Sequence, residues 1–173
     1  MIVSRRSSRN AVHAALRARD RARSDVAVAG SILHLTKGYP GRPNPSDQEL
    51  AATFSELASS LHDAGVDLIL LEMMYVSRRI EIALEAAIST GLPVWLGLSA
   101  RRGEDGQFLS FAPGQDLLFE EIVQFATTPG VTAASVMHTP SDQVSEALAK
   151  IQVCFSGPTH AYPDSGYFEM PNW

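Results

Sequence analysis

The sequence predicts an α/β fold organised on a parallel sheet, and three observations predict it. Gly65-Val-Asp-Leu-Ile-Leu-Leu-Glu72 is an aliphatic run with no alternating polar face, the pattern of a strand covered by helices on both sides. Strand starts fall near residues 25, 66, 93, 131 and 159, and a helical stretch separates each successive pair. The 173 residues, 45% apolar and 19% charged, suit a single soluble domain spanning 1–173 with a sizeable core.

Met1 to Ser24 is rich in arginine and serine. It carries a balance of +6, which leaves −11 for the rest of a chain whose net charge is −5. Such a composition suits a mitochondrial transit peptide. Nucleic-acid binding has no aromatic interleaving or motif to support it. Val12, Ala15, Leu16 and Ala22 can share one helical face with the arginines largely opposite, so an amphipathic helix of the fold with solvated arginines is favoured.

Asp25 to Ile32 reads as a strand closing in Gly30-Ser31, where small residues permit close approach of a ligand or backbone. Lys37–Pro45, with two glycines and three prolines, is a loop. Ser46-Asp-Gln-Glu49 is a capping box, in which the serine hydroxyl receives the Glu49 amide and the Glu49 carboxylate reaches back. Leu50, Phe54, Leu57 and Leu61 then form one apolar stripe, and Gly65 suits a left-handed cap. The strand ending at Glu72 follows. Asp67, at its start, is expected to be structural.

A helix over about Ser77 to Thr90 turns Ile80, Ala83, Leu84, Ala87 and Ile88 inward, and Pro93 to Ser99 is the next apolar strand. Arg101–Gly114 reads as a loop with a turn at Gly103–Gly106. Leu118, Ile122 and Phe125 stripe a third helix, broken at Pro129-Gly130, and Val131–Met137 is a strand ending in His138-Thr139. Thr139-Pro-Ser-Asp142 resembles a helix start with proline at the first position. Val144, Leu148 and Ile151 face the core, Gly157-Pro158 stops that helix, and Thr159–Tyr162 is a last short strand.

Five βα units are too few for a closed eight-stranded barrel, which takes about 250 residues. The residues alone leave two architectures open, an open doubly wound sheet and part of a barrel. No glycine-rich dinucleotide or phosphate-loop motif follows any strand. No apolar run approaches the roughly 20 residues of a membrane span. The single cysteine, Cys154, excludes an internal disulfide, fits a reducing cytoplasm and reads as ordinary helix packing.

Ligands of parallel α/β folds gather at the carboxyl ends of strands. Glu72, His138 and Asp164 stand at three such ends and are expected to converge on one rim. A carboxylate, an imidazole and a second carboxylate suit zinc ligation or acid–base work equally. The bland reading of Glu72 is a helix cap or a pair with Arg78 or Arg79. His13, His34, His62 and His160 read as bland. Tyr162 and Tyr167 flank Asp164 and are the pocket candidates among the aromatics.

Val28-Ala-Gly-Ser31, Ala64-Gly-Val-Asp-Leu-Ile-Leu-Leu-Glu-Met73, Gly91-Leu-Pro-Val-Trp95, Ala133–Thr139 and Ala161-Tyr-Pro-Asp-Ser-Gly166 follow the order seen in the homocysteine S-methyltransferases. The chain resembles that family over nearly its whole length. The resemblance implies a zinc-dependent TIM barrel, of which approximately strands three to seven with their helices are present: an α/β, partial (β/α)8 barrel. It also implies methyl transfer from a small activated donor (S-methylmethionine, betaine or a methylated folate) to homocysteine sulfur, giving methionine. In the family, zinc holds the sulfur as a thiolate, which makes the nucleophile available at neutral pH. By resemblance Glu72 binds the substrate amino group, while His138 and Asp164 sit at or near the metal; Tyr162, flanking Asp164, is expected to bind substrate.

The departures are specific. Where the family has an Asn-Cys zinc ligand, this chain reads Met137-His138. The family's Gly-Gly-Cys-Cys-Gly motif, which supplies the other two ligands after the eighth strand, is absent, as is its N-terminal Asp-Gly-Gly region. Two further expectations therefore stand beside methyl transfer. One is a non-catalytic α/β module that forms homo-oligomers through open barrel edges. The other is a metal-free acid–base pair of His138 and Glu72. Neither nucleic acid nor membrane is an expected partner.

Overall fold

The strand register decides the architecture. In the computed structural model, which describes residues 5–22, 25–33, 44–112, 114 and 116–164, strands β1 (Ala29–Leu33), β2 (Leu68–Met74), β3 (Val94–Leu98), β6 (Val131–Pro140) and β7 (Thr159–Asp164) form one sheet in the order β1-β2-β3-β6-β7. Every pairing is parallel. Strands in sequence order, all parallel and joined by helices, make an arc of a (β/α)8 barrel, since a doubly wound sheet would reverse its strand order at a switch point. The expected partial barrel is what forms.

Helices α1 (Arg5–Arg21), α2 (Asp47–Ala64), α3 (Ser77–Ile88), α4 (Phe119–Val123) and α5 (Val144–Cys154) accompany the strands. The apolar stripe of α2 buries Leu50, Phe54 and Leu61 against outward-facing Ile32, Ile69 and Leu71. Val94, Leu96 and Leu98 of β3 and Val136 of β6 continue this core between sheet and helices. Fully burying each such side chain contributes about 1.5–3 kcal/mol, so the sheet–helix layer dominates the stability of the arc.

The α2 termini form as their sequence dictates. Ser46 Oγ accepts the Glu49 amide at 3.3 Å, and the Glu49 carboxylate accepts the Ser46 amide at 2.8 Å. The Ser46 backbone amide, then its hydroxyl, hold the Glu49 carboxyl below its ordinary value. Gly65 closes the helix at φ 89°, a conformation that costs a residue with a Cβ about 1 kcal/mol or more.

Elsewhere the elements differ from expectation. The first strand starts at Ala29 rather than Asp25, and Arg101–Gly114 is not a plain loop. Its first part is a hairpin of β4 (Ala100–Arg102) and β5 (Phe108–Ser110). The hairpin forms because Phe108 and Leu109 are buried, Phe108 edge-on to Phe119 at 5.3 Å. The helix start expected at Thr139-Pro140 does not occur. Strand β6 runs through Pro140, a short 3₁₀ turn follows at Ser141–Gln143, and α5 begins at Val144 without a side-chain cap. Thr139 is instead committed to the strand, donating to Met137 O at 3.2 Å and accepting the Ala100 amide at 3.0 Å.

On α1, Val12 is buried and Leu16 half-buried, but Ala15 and Ala22 are exposed, so the apolar face is narrower than the sequence suggests. Arg9, Arg17 and Arg21 are exposed as expected. Arg19 is not simply solvated. It pairs with Asp67 at 3.0 Å, and Asp67 also accepts the Val28 amide at 2.6 Å. Asp67 thereby ties α1 to the amino-terminal rim of the sheet. No helix among the described residues is long and apolar enough to cross a membrane. His34, Tyr167, most of the Lys37–Pro45 loop and the tail after Asp164 lie outside the described residues.

Candidate functional site

Period-two alternation along parallel strands puts Ser31 of β1, Leu70 and Glu72 of β2, Trp95 and Gly97 of β3, Ser135 and Met137 of β6, and His160 and Tyr162 of β7 on the concave face. Two contacts show how this face is filled. Trp95 and His160 rings lie 5.1 Å apart across β6, which carries only Ala133 and Ser135 there. A Cβ on Gly97 would lie 2.2 Å from Met137 Cε and 2.9 Å from Leu71 O, and the fixed backbone oxygen favours glycine where the methionine crosses β3.

The carboxyl rim is shaped by two matching irregularities. The β2–β3 register breaks between Leu71 and Met74, and the β6–β7 register breaks between Met137 and Pro140. Met73 sits at φ 53° and His138 at φ 47°, both in the left-handed region. Each such residue costs about 1–2 kcal/mol, and strain of this kind collects at functional rims. The Thr139 hydroxyl donates to Met137 O, the carbonyl immediately before His138, and accepts the Ala100 amide, bracing the backbone on that side. The Met73 amide donates to Met137 Sδ at 3.2 Å, linking the two bulges.

Glu72, partly buried, accepts a hydrogen bond from the Ser31 hydroxyl at 2.6 Å. Arg78 is not its partner and engages Asp47 and Glu81 instead. His138 Nδ1 lies 3.3 Å from Asp164 Oδ1, with both side chains nearly half exposed. The predicted trio therefore resolves into two groups, Ser31–Glu72 on β1–β2 and His138–Asp164 on β6–β7. They are separated by β3, a gap of about 10 Å at ordinary strand spacing. Glu72 and His138 are not bonded to each other, which removes direct contact as support for an acid–base pair. Tyr162 stands beside Met137 in the register but is 69% exposed.

Ser31 was legible only as a small residue at a strand end; its role needs the β1–β2 register. Thr139 was misread as a helix start. Burial lowers the His160 pKa, with the Trp95 ring 5.1 Å away. Cys154 closes α5 as an exposed residue whose thiol lies 3.4 Å from Ile151 O and 3.7 Å from Val123 O, packing the end of α5 on α4. Two surface hollows of about 440 and 490 Å³ are lined by Arg101, Asp105 and Asp116 and by Leu84, Ile88 and Phe125. They include neither Glu72 nor His138, and the chemistry is better located by the rim geometry.

Comparison with known proteins gives this geometry its context. The homocysteine S-methyltransferase family profile matches residues 3–173. The chain belongs to the homocysteine S-methyltransferase family. Among solved structures it is similar to the homocysteine methyltransferase MmuM from Escherichia coli. In the apo form the likeness has a TM-score of 0.75 at 22% identity, covering 94% of this chain and 61% of MmuM. The metallated form matches at the same TM-score and identity, with 59% of its length covered. Dihydrodipicolinate synthase from Agrobacterium tumefaciens matches more distantly, at TM-score 0.53 and 18% identity. No curated protein matches. At these identities the solved structures establish the fold alone, and the chain spans about three fifths of the MmuM length.

The family and the metallated MmuM structure suggest a metal, and the residues present can be tested against one. A catalytic zinc takes three protein ligands and a structural zinc four. Among the described residues no group of three or more histidine, cysteine or acidic side chains is placed to hold a metal. His138 and Asp164 make two donors at most, and Cys154 is engaged with the α5 backbone. The described residues do not make a complete zinc centre.

Proposed function

We propose that this protein serves methyl transfer to the sulfur of homocysteine, and that the described arc supplies the half of the site that holds the amino acid. The observation that carries this reading is the short Ser31–Glu72 hydrogen bond at the carboxyl rim, within a family member. An ammonium group brought to the rim finds a carboxylate already oriented by a hydroxyl. Charge-assisted hydrogen bonds to such a group contribute about 1.5–3 kcal/mol each. Tyr162, exposed on β7 at the other side of the concave face from Glu72, is proposed to contact the far end of the bound amino acid. His138 and Asp164 occupy the region of the reacting sulfur, where an imidazole beside a carboxylate can hold a proton or donate to a metal.

The donor is proposed to be a small activated methyl compound of the S-methylmethionine, betaine or methylated-folate type, with methionine as product and the cytoplasm as the compartment. The test is methionine formation from homocysteine and S-methylmethionine by the folded protein, with and without added zinc. Methionine formation supports catalysis by this chain, and its absence from folded protein contradicts it.

A second reading has its own observation. Only two metal donors come together among the described residues, which favours an amino-acid-binding module without catalysis. That reading expects saturable homocysteine binding, no methionine, and no stoichiometric zinc.

A further inference from the structure

We infer that Met137 is a positioning residue for Glu72: its thioether, laid across β3, holds the peptide that follows the carboxylate. The inference rests on the reading of Glu72 as the anchor of an amino group and adds to it the residue that aims the anchor.

Glu72 is held at two points. Its carboxylate accepts the Ser31 hydroxyl at 2.6 Å. The peptide that joins it to Met73 is held separately, because the Met73 amide donates to Met137 Sδ at 3.2 Å. This peptide lies inside the break in the β2–β3 register, where the ladder no longer dictates its direction. Met73 is left-handed there, at φ 53°, a conformation that a residue with a Cβ leaves when nothing holds it. Just beyond, the Met74 carbonyl accepts the Ser99 amide at 3.1 Å. The bulge is thus fixed by β3 through backbone and by β6 through sulfur.

The thioether reaches β2 because β3 lets it pass. A Cβ on Gly97 would fall 2.2 Å from Met137 Cε and 2.6 Å from its Sδ, so the methionine occupies the place of the missing side chain. Met137 is buried along this path, which an unbranched, pliable chain can follow. Leucine fills a similar volume but offers no acceptor. Met137 also directly precedes His138, itself at φ 47°. One side chain therefore sets the spacing between the Ser31–Glu72 group and the His138–Asp164 group, the two ends between which a bound amino acid has to fit.

Met137→Leu and Met137→Gln test the role in the full chain. Urea denaturation reads stability, native-state amide exchange reads Met73, and titration with homocysteine and its deamino analogue 4-mercaptobutanoate reads Glu72. Met137→Leu is expected to keep a midpoint near that of the unaltered protein. Its Met73 amide is expected to exchange roughly three- to tenfold faster, and its preference for homocysteine over the analogue to fall by a similar factor. Met137→Gln supplies a carbonyl acceptor at similar reach but buries an amide nitrogen. It is expected to lower the midpoint and yet restore both slow Met73 exchange and the preference for homocysteine. Unchanged Met73 exchange in Met137→Leu, or a preference that follows the midpoint rather than the acceptor, overturns the inference. Failure of the Glu72 reading has a different signature: the unaltered protein shows no preference between the ligands. Faster Met73 exchange in Met137→Leu and its reversal in Met137→Gln then still uphold Met137 as the brace of the bulge.

Discussion

The Ser31 hydroxyl and the Glu72 carboxylate meet at 2.6 Å across the β1–β2 seam. The two residues are 41 positions apart in sequence and are brought together by a parallel register that pairs Ser31 with Leu70 and Leu33 with Glu72. A diagonal neighbour of this kind is set by the sheet rather than by a loop, so the carboxylate is positioned before any ligand arrives. Preorganisation of this sort saves the ordering cost that a flexible carboxylate would incur on binding.

Gly97 and Met137 make the most stringent packing demand on the concave face. For Gly97→Ala the new Cβ would meet Met137 Cε at 2.2 Å and Leu71 O at 2.9 Å. The methionine can move, but the backbone oxygen cannot without shifting β2. The substitution is expected to lower stability by about 1–3 kcal/mol. Urea denaturation checks this as a lowered midpoint at unchanged slope.

His138 is held in a left-handed conformation that only glycine adopts freely. Replacing it by alanine and by glycine removes the same imidazole and the same contact with Asp164. The difference between the two variants then isolates the backbone. His138→Gly is expected to be more stable than His138→Ala by about 1 kcal/mol. Equal midpoints in urea would show that the backbone relaxes when the side chain is lost.

His160 carries the pH signature. Burial against Trp95 lowers its pKa below the ordinary 6.5. The unfolded chain therefore binds this proton more readily than the folded one, and stability rises with pH between the folded and unfolded values. The contribution is complete above about pH 6.5 and is lost as the pH falls through the folded value. Trp95→Ala is expected to return the His160 titration toward its ordinary midpoint, read by the imidazole proton shifts in NMR. A midpoint unmoved by the substitution would mean that other neighbours desolvate the ring.

Much of this was legible in the sequence because the relevant signals are local. The Ser46–Glu49 capping box, Gly65 and the aliphatic run to Glu72 each depend on a few adjacent residues; both caps form as read, and the strand forms but continues two residues past Glu72 to Met74. The hairpin after β3 was not legible. Its short strands are defined by Phe108 packing on Phe119, a contact that composition dominated by glycine and charge conceals. Thr139-Pro140 carries a valid helix-start pattern, but the Ala100 amide claims the threonine hydroxyl. The site divides in the same way. Strand ends pointed to Glu72, His138 and Asp164, but which of them touch depends on strand order. With β3 between β2 and β6, His138 meets Asp164 and Glu72 meets Ser31.

The central claim is that Glu72 receives the amino group of homocysteine. Isothermal titration of the folded chain with homocysteine, and with its deamino analogue 4-mercaptobutanoate, measures it directly. Homocysteine is expected to bind the unaltered protein more tightly than the analogue. Glu72→Gln is expected to weaken homocysteine about 10–100-fold, the loss of a charge-assisted bond, and to leave the analogue unchanged. Ser31→Ala, which frees the carboxylate without removing it, is expected to cost a smaller factor of about five. Equal loss of both ligands on Glu72→Gln, or no loss of either, would contradict the account.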